Sequence, residues 1–302
     1  MIFFSVVIPT YNRAALLLKT IQSVLDQSFK SFEIIIVDDG STDNTASLVI
    51  ERYSKNRKVV YFWKENQERG VARNFGLKKA RGKYVQFLDS DDYMKKNHLD
   101  TLYNHLCKYP DLNFLTTKSI LIRNGNSIKM PIVDLNEGFY TYKDLLKGAP
   151  FGSLICIKKS NPNLILFTEN REIVPLEDWV FSIQNTINDK IYLIDKITIQ
   201  INDHEDRSMA NHNFVIQKRI YASHYLIQSE SFTEYEEKLL LAYSYYFCSV
   251  HAYLGGLRIK AIRFLNKSTQ LLGLKLFLII LLFKIIIGKP ILDKIKTFYN
   301  PS

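Results

Sequence analysis

The 302 residues are 47% hydrophobic and 23% charged, a balance that supports a packed core and excludes collagen-like, disordered and many-span membrane chains. That length suits one sizeable α/β domain with a smaller appendage. A net charge of +10 asks for an anionic partner, and Leu271 to Lys296 mixes lysines with long apolar runs around one acid, Asp293, which favours a membrane surface over nucleic acid.

In chain order, Phe3 to Ile8 is a valine-rich apolar run closed by Pro9, the pattern of a strand buried on both faces. Asn12 is placed to cap a helix in which Leu17, Ile21, Val24 and Leu25 recur at helical spacing. Phe32 to Val37 predicts a second strand, Ser41 or Thr42 a second helix cap, and Val59 to Phe62 a third strand. A helix over about Val71 to Ala80 then leads to a fourth strand, Tyr84 to Leu88. Strands alternating with helices predict a mostly parallel, doubly wound α/β sheet whose ligands sit at the carboxyl ends of its strands.

After an amphipathic helix at Leu99 to Leu106, Phe114 to Ile122 and Ser127 to Ile132 flank Asn124-Gly125, a hairpin signal. Thr141 to Asp144 resembles a capping box, Leu154 to Ile157 is strand-like, Trp179 to Ile187 helical, and Ile191 to Ile201 alternates like a sheet strand. From about Asn211 the pattern is helical. The expected division is therefore 1–205 for the catalytic domain and 206–302 for a helical C-terminal region. Cys107, Cys156 and Cys248 show no metal-ligand spacing and read as buried thiols. Met1 to Phe4 enters a strand with no basic flank or cleavage site, so a cytoplasmic location is expected, peripheral at the inner face of the membrane.

Polar clusters follow the predicted strands: Thr10-Tyr11-Asn12, Asp38-Asp39-Gly40-Ser41, Asp89-Ser90-Asp91-Asp92 and later Glu177-Asp178. One such cluster is ordinary turn chemistry. Two that pack acids this closely repel unless a cation or hydrogen-bond donors compensate, and a hard divalent ion, Mn²⁺ or Mg²⁺, suits Asp89-x-Asp91 because it takes one or two carboxylates and leaves room for phosphate and water.

The runs SVVIPTYNR (Ser5 to Arg13), VDDGSTDNT (Val37 to Thr45), GVARNFGLKKARGKYVQFLDSDD (Gly70 to Asp92) and EDW (Glu177 to Trp179) resemble family 2 glycosyltransferases of the GT-A fold, in that family's order over about the first 200 residues. The resemblance implies a Rossmann-like GT-A domain that moves a sugar, with inversion, from a nucleotide-diphosphate donor, UDP-linked by preference, to an acceptor hydroxyl. Pro9, Thr10 and Tyr11 would line the nucleoside pocket and Asp39 would bind the base, with Asp38 supporting the loop. Arg73 would meet donor phosphate or hold the acidic loop, and Asp89 would face ribose or a metal-bound water. Asp91 matches the direct metal ligand of the DxD motif, Asp92 is a helix cap or part of the catalytic shell, and Asp178 matches the general base.

Glu177 and Trp179 would face the acceptor, and Phe151-Gly152-Ser153 would lie under it. His204, in a polar loop after the last strand, would complete the metal shell or cover the diphosphate, whereas His98, His105, His212, His224 and His251 read as structural. The acceptor would be a saccharide or lipid-linked saccharide. Leu271 to Ile287, interrupted by Lys275 and Lys284, fits a helix lying in a membrane interface better than one crossing it, with a core helix or a contact in a homo-oligomer as alternatives. A dinucleotide oxidoreductase is excluded by Pro9-Thr10-Tyr11-Asn12 where GxGxxG belongs. A nucleotide-sugar hydrolase and an inactive sugar-nucleotide-binding scaffold are the remaining rivals.

Overall fold

The computed structural model describes residues 2–204, 209 and 211–288. Among them, 2–142, 149–171 and 177–204 form one compact unit, and 143–148, 172–176 and the residues from 209 onward form a second. The expected boundary at Glu205 and Asp206 lies outside the described residues.

The first unit opens with β1 (Phe4–Thr10), α1 (Ala14–Leu25), β2 (Phe32–Asp38), α2 (Thr45–Tyr53), β3 (Val59–Trp63), α3 (Glu68–Lys79) and β4 (Tyr84–Phe87). Every residue of β1 and β2 is buried, as their continuous apolar runs require of strands covered on both faces. α1 turns Leu17, Ile21 and Val24 into the same core. α3 packs close to β1 because Gly76 has no side chain: an added Cβ would lie 2.3 Å from Val7 Cγ1.

β5 (Tyr93–Met94), α4 (His98–Lys108), β6 (Phe114–Arg123), β7 (Asn126–Ile128), β8 (Gly138–Tyr140), α5 (Tyr142–Leu145), β9 (Cys156–Lys158), α6 (Glu177–Thr186) and β10 (Ile191–Asn202) follow. The sheet runs β3-β2-β1-β4-β9-β6-β10-β5, with β7 on β6 and β8 on β10. β3, β2, β1 and β4 are parallel, as are β6 and β10, whereas β9, β5, β7 and β8 pair antiparallel. The mostly parallel α/β core is thus present, extended by short antiparallel strands into a mixed sheet.

Several local expectations are corrected. Asn12 does not cap α1: it sits at φ 51°, and its Oδ1 accepts the Thr42 amide at 2.7 Å, tying the loop after β1 to the loop after β2. Neither Ser41 nor Thr42 caps α2; Asp43 Oδ1 accepts the amide of its first residue, Thr45, at 3.0 Å. The Asn124-Gly125 hairpin forms with both residues at positive φ, but β7 stops at Ile128 and a 3₁₀ turn begins at Pro131, which has no N–H to give a ladder. Cys107 is exposed on α4, on the side away from Leu102 and Leu106, while Cys156 and Cys248 are buried.

The second unit holds α7 (His212–Ser229), α8 (Glu234–Leu254), α9 (Arg258–Leu272) and α10 (Leu276–Ile287). Asn211 caps α7 and a Thr233/Glu236 capping box starts α8. Ile216, Cys248, Leu265, Leu278, Leu281 and Ile285 are part of its core. The stretch 271–287 is not one helix, because Gly273 at φ 70° separates α9 from α10. No helix among the described residues is long and apolar enough to cross a membrane.

Candidate active site

Parallel neighbours with matched register bring their carboxyl ends to one edge. Thr10 of β1 stands opposite Asp38 of β2, and Val7 of β1 opposite Phe87 of β4, so the loops carrying Tyr11, Asp39 and Asp89 emerge side by side. The Asp39 amide donates to Thr10 O at 2.9 Å, fastening the first two of these loops together.

The Asp39 carboxylate is buried and accepts from Lys64 Nζ at 2.6 Å and from the Gln67 amide at 3.1 Å. Asp38 accepts the Ser41 amide at 2.8 Å and the Tyr61 hydroxyl at 2.6 Å, which fits its expected support of the loop. Pro9 and Thr10 are buried and Tyr11 is exposed. Thr10 Oγ1 is buried and has no hydrogen-bond partner, an unspent polar group at the end of β1.

Oxygens of Asp89, Asp91 and Asp92 lie within 4.8 Å of one another. Such a set of hard oxygen donors fits a divalent cation. Asp91 Oδ2 is hydrogen-bonded to Arg13 and lies 2.8 Å from His204 Nε2, so the two expected metal ligands, distant in sequence, are adjacent in space. Arg13 Nη1 also lies 2.9 Å from His204 Nε2. Asp92, the third acid of this set, also accepts the Asn202 amide at 3.1 Å, and α4 begins only at His98, so it does not cap that helix.

Arg73 is 1% exposed and bridges two acids: Nη2 to Asp89 at 2.7 Å and Nη1 to Glu177 at 2.8 Å. Of its two expected roles this is the second, holding the acidic loop; at this burial it does not present itself to a donor phosphate. Burial would raise the Asp89 carboxyl, but Arg73, with help from Arg69 and Ser153, holds it below the usual carboxylate range. The same two acids keep Arg73 charged against the cost of its burial.

Glu177 and Trp179 are 2% and 1% exposed, so the expectation that they face an acceptor is corrected. Glu177 is consumed by the Arg73 pair, and the Trp179 ring lies in the interior where the helix turns its apolar side inward. Asp178, between them at the first turn of α6, is partly exposed. Its Oδ1 accepts the Trp179 amide at 2.7 Å. Burial, then the neighbouring charges of Glu177 and Asp89, push its carboxyl up to about 7 despite the opposing pull of Arg73.

Gly152, at φ 54°, passes so close that a Cβ there would sit 3.5 Å from Asp178 Oδ2, while Ser153 hydrogen-bonds Asp89. The segment Phe151-Gly152-Ser153 thus runs past both the acidic loop and Asp178. Three positively charged groups were not singled out from sequence: Arg13, Lys64 and Arg69. Arg13 closes the first motif run, and a cation beside so many acids was the available signal. His98 is buried between Thr198 and Gln86 and is structural, as expected.

Residues 5–155 match the family described as Glycosyl transferase family 2. The chain is 32% identical over 259 residues to the poly(ribitol-phosphate) beta-N-acetylglucosaminyltransferase TarP of Staphylococcus aureus strain N315, covering 80% of this chain and 77% of that protein. It is 47% identical over 96 residues to an uncharacterized glycosyltransferase of Rickettsia felis, an alignment that spans 32% of this chain and only 16% of that longer protein. A crystal structure of S. aureus TarS 1-349 in complex with UDP-GlcNAc superposes with a TM-score of 0.66 at 21% identity, covering 90% of this chain and 82% of that one, which shows the shared fold. By the matched segment and by the length it shares with TarP, the chain belongs to glycosyl transferase family 2.

Proposed function

We propose that the chain is an inverting glycosyltransferase that moves a hexosyl or N-acetylhexosaminyl group from a UDP-sugar to a hydroxyl of a cell-surface or lipid-linked saccharide or polyol polymer. The observation that carries this reading is the placement of Asp178, a carboxyl raised to about 7, beside the loop of Asp89, Asp91 and Asp92 and on a partly exposed edge. The activity named for TarP supports an N-acetylhexosaminyl group and a polyol-polymer acceptor, and the UDP-GlcNAc named with the TarS structure supports the donor class.

Asp178 takes the proton of the acceptor hydroxyl as that oxygen bonds to the anomeric carbon, and the bond from that carbon to the diphosphate breaks with its electron pair leaving on phosphate oxygen. A divalent cation held by Asp91 and His204, with Asp89 beside them, would supply positive charge against the departing diphosphate. Pro9, Thr10, Tyr11 and Asp39, at the ends of β1 and β2, line the nucleoside pocket. Arg73 keeps Asp89 ionised and fixes Glu177 so that the helix start presents Asp178 outward.

The test is transfer from UDP-N-acetylglucosamine with Mn²⁺ to a polyol-phosphate polymer, run with the native chain and with Asp178→Asn. The expected result is a loss of transfer of about 10²-fold to 10⁴-fold in the variant with donor binding retained. Equal turnover in both proteins would remove Asp178 as the base. Release of free sugar without transfer would favour the hydrolase.

A further inference from the structure

In the second unit, α10 buries one side and leaves the other bare. Leu278, Leu281 and Ile285 pack into the core, while Leu276 is 73% exposed, Ile280 45%, Phe283 59% and Ile287 36%. At about 100° per residue these four fall within about 60° of one another, forming a single apolar stripe along the helix. Lys284 lies on one flank of that stripe, Ile286, 61% exposed, and Leu282, 38%, widen it on the other, and Lys275 stands at the N-terminal end of the helix.

Charge decides what fits this face. From Lys238 to Gly288 the sequence holds seven lysines and arginines and no aspartate or glutamate. A second copy of the face would bring like charges together and offer no acid to either lysine. An anionic headgroup layer offers phosphate at the height that lysines reach when their stems lie along an apolar surface. The 12 residues of α10 extend about 18 Å, short of the roughly 30 Å hydrocarbon core, so the helix can lie in a bilayer but not cross it.

We propose that α10 is a lipid-docking element that lies in the interface of an anionic membrane, with Leu276, Ile280, Phe283 and Ile287 in the acyl boundary and Lys275 and Lys284 at the headgroups. This does not depend on the reaction proposed above, because no residue of the catalytic edge takes part.

Flotation of the full chain with vesicles tests it. The expected result is binding to phosphatidylcholine mixed with phosphatidylglycerol, weaker binding to phosphatidylcholine alone, and a decline with rising salt. Ile280→Glu/Phe283→Glu should lower partitioning about tenfold or more on both vesicle types, since two apolar side chains are lost from the stripe. Lys275→Gln/Lys284→Gln should lower it about fivefold per lysine on anionic vesicles only.

Vesicle preference and salt dependence are read on the unmodified chain, so they decide the matter even where a variant folds poorly. Absence of binding to anionic vesicles, or equal and salt-insensitive binding to both types, would overturn the proposal. So would a dimer in light scattering that Ile280→Glu/Phe283→Glu splits while vesicles stay unbound.

Discussion

Asp178 changes charge near neutrality, and that change can be read in two ways. Because a base must be deprotonated, transfer at saturating donor should rise with pH through about 7 and level off above it, which a pH–rate profile measures. In the free protein the same raised value means that the folded state binds more protons than the unfolded one between about 4 and about 7, so stability contributed by this group is full at low pH and is lost as pH rises through that window. Asp178→Asn should therefore be more stable than the native chain at pH above about 8, by roughly 2 kcal/mol after allowing for partial exposure, as denaturant unfolding would show. A variant of unchanged stability there would mean that the carboxylate is not held at such cost.

Arg73 carries the opposite expectation. Arg73→Gln leaves Glu177 and Asp89 without their shared cation, and a loss of about 3–5 kcal/mol is expected in the same unfolding experiment. At this scale the sequence was legible where a residue's place at a strand or helix end fixes its surroundings, as for Asp38 at the end of β2. It was not legible where a role depends on which way a side chain turns. Glu177 and Asp178 are adjacent in one helical turn, yet one points into a buried ion pair and the other outward, and no spacing rule separates them.

Among the elements, β1 and β2 could be read from sequence because a strand buried on both faces needs an unbroken apolar run. α1 could be read because its apolar residues repeat at helical spacing on one side. The short antiparallel strands β5 and β8 could not, since they have two and three residues and exist only by pairing with distant chain. The break between α9 and α10 turned on one glycine in a left-handed conformation, which the apolar composition around it concealed. The close seat of α3 on β1 gives a direct test: Gly76→Ala should cost about 1–3 kcal/mol, because Val7 on a fully buried strand has little room to yield. An unfolding midpoint unchanged by Gly76→Ala would show that the helix can slide.

For the whole molecule, any ligand that binds only the folded chain raises its stability by mass action. Uridine diphosphate with Mn²⁺ at about a hundred times the dissociation constant should add about 2.7 kcal/mol, a rise of about 5–10 °C in the thermal midpoint for a domain of this size. Asp91→Asn should lose the increment due to Mn²⁺, and an undiminished increment would place the cation elsewhere. The order of the four motif runs made the family legible over the catalytic unit, whereas the helical C-terminal unit carried only its apolar and basic composition, which does not tell which side of α10 is buried.

The three cysteines differ in a way that is useful at the bench. Cys107 stands exposed on α4, while burial pushes the Cys248 thiol up to about 12 and the Cys156 thiol higher still. A maleimide dye should therefore couple once per folded chain without prior mutagenesis, giving a fluorescent reporter on a helix of the catalytic unit and leaving every acid of the proposed site untouched.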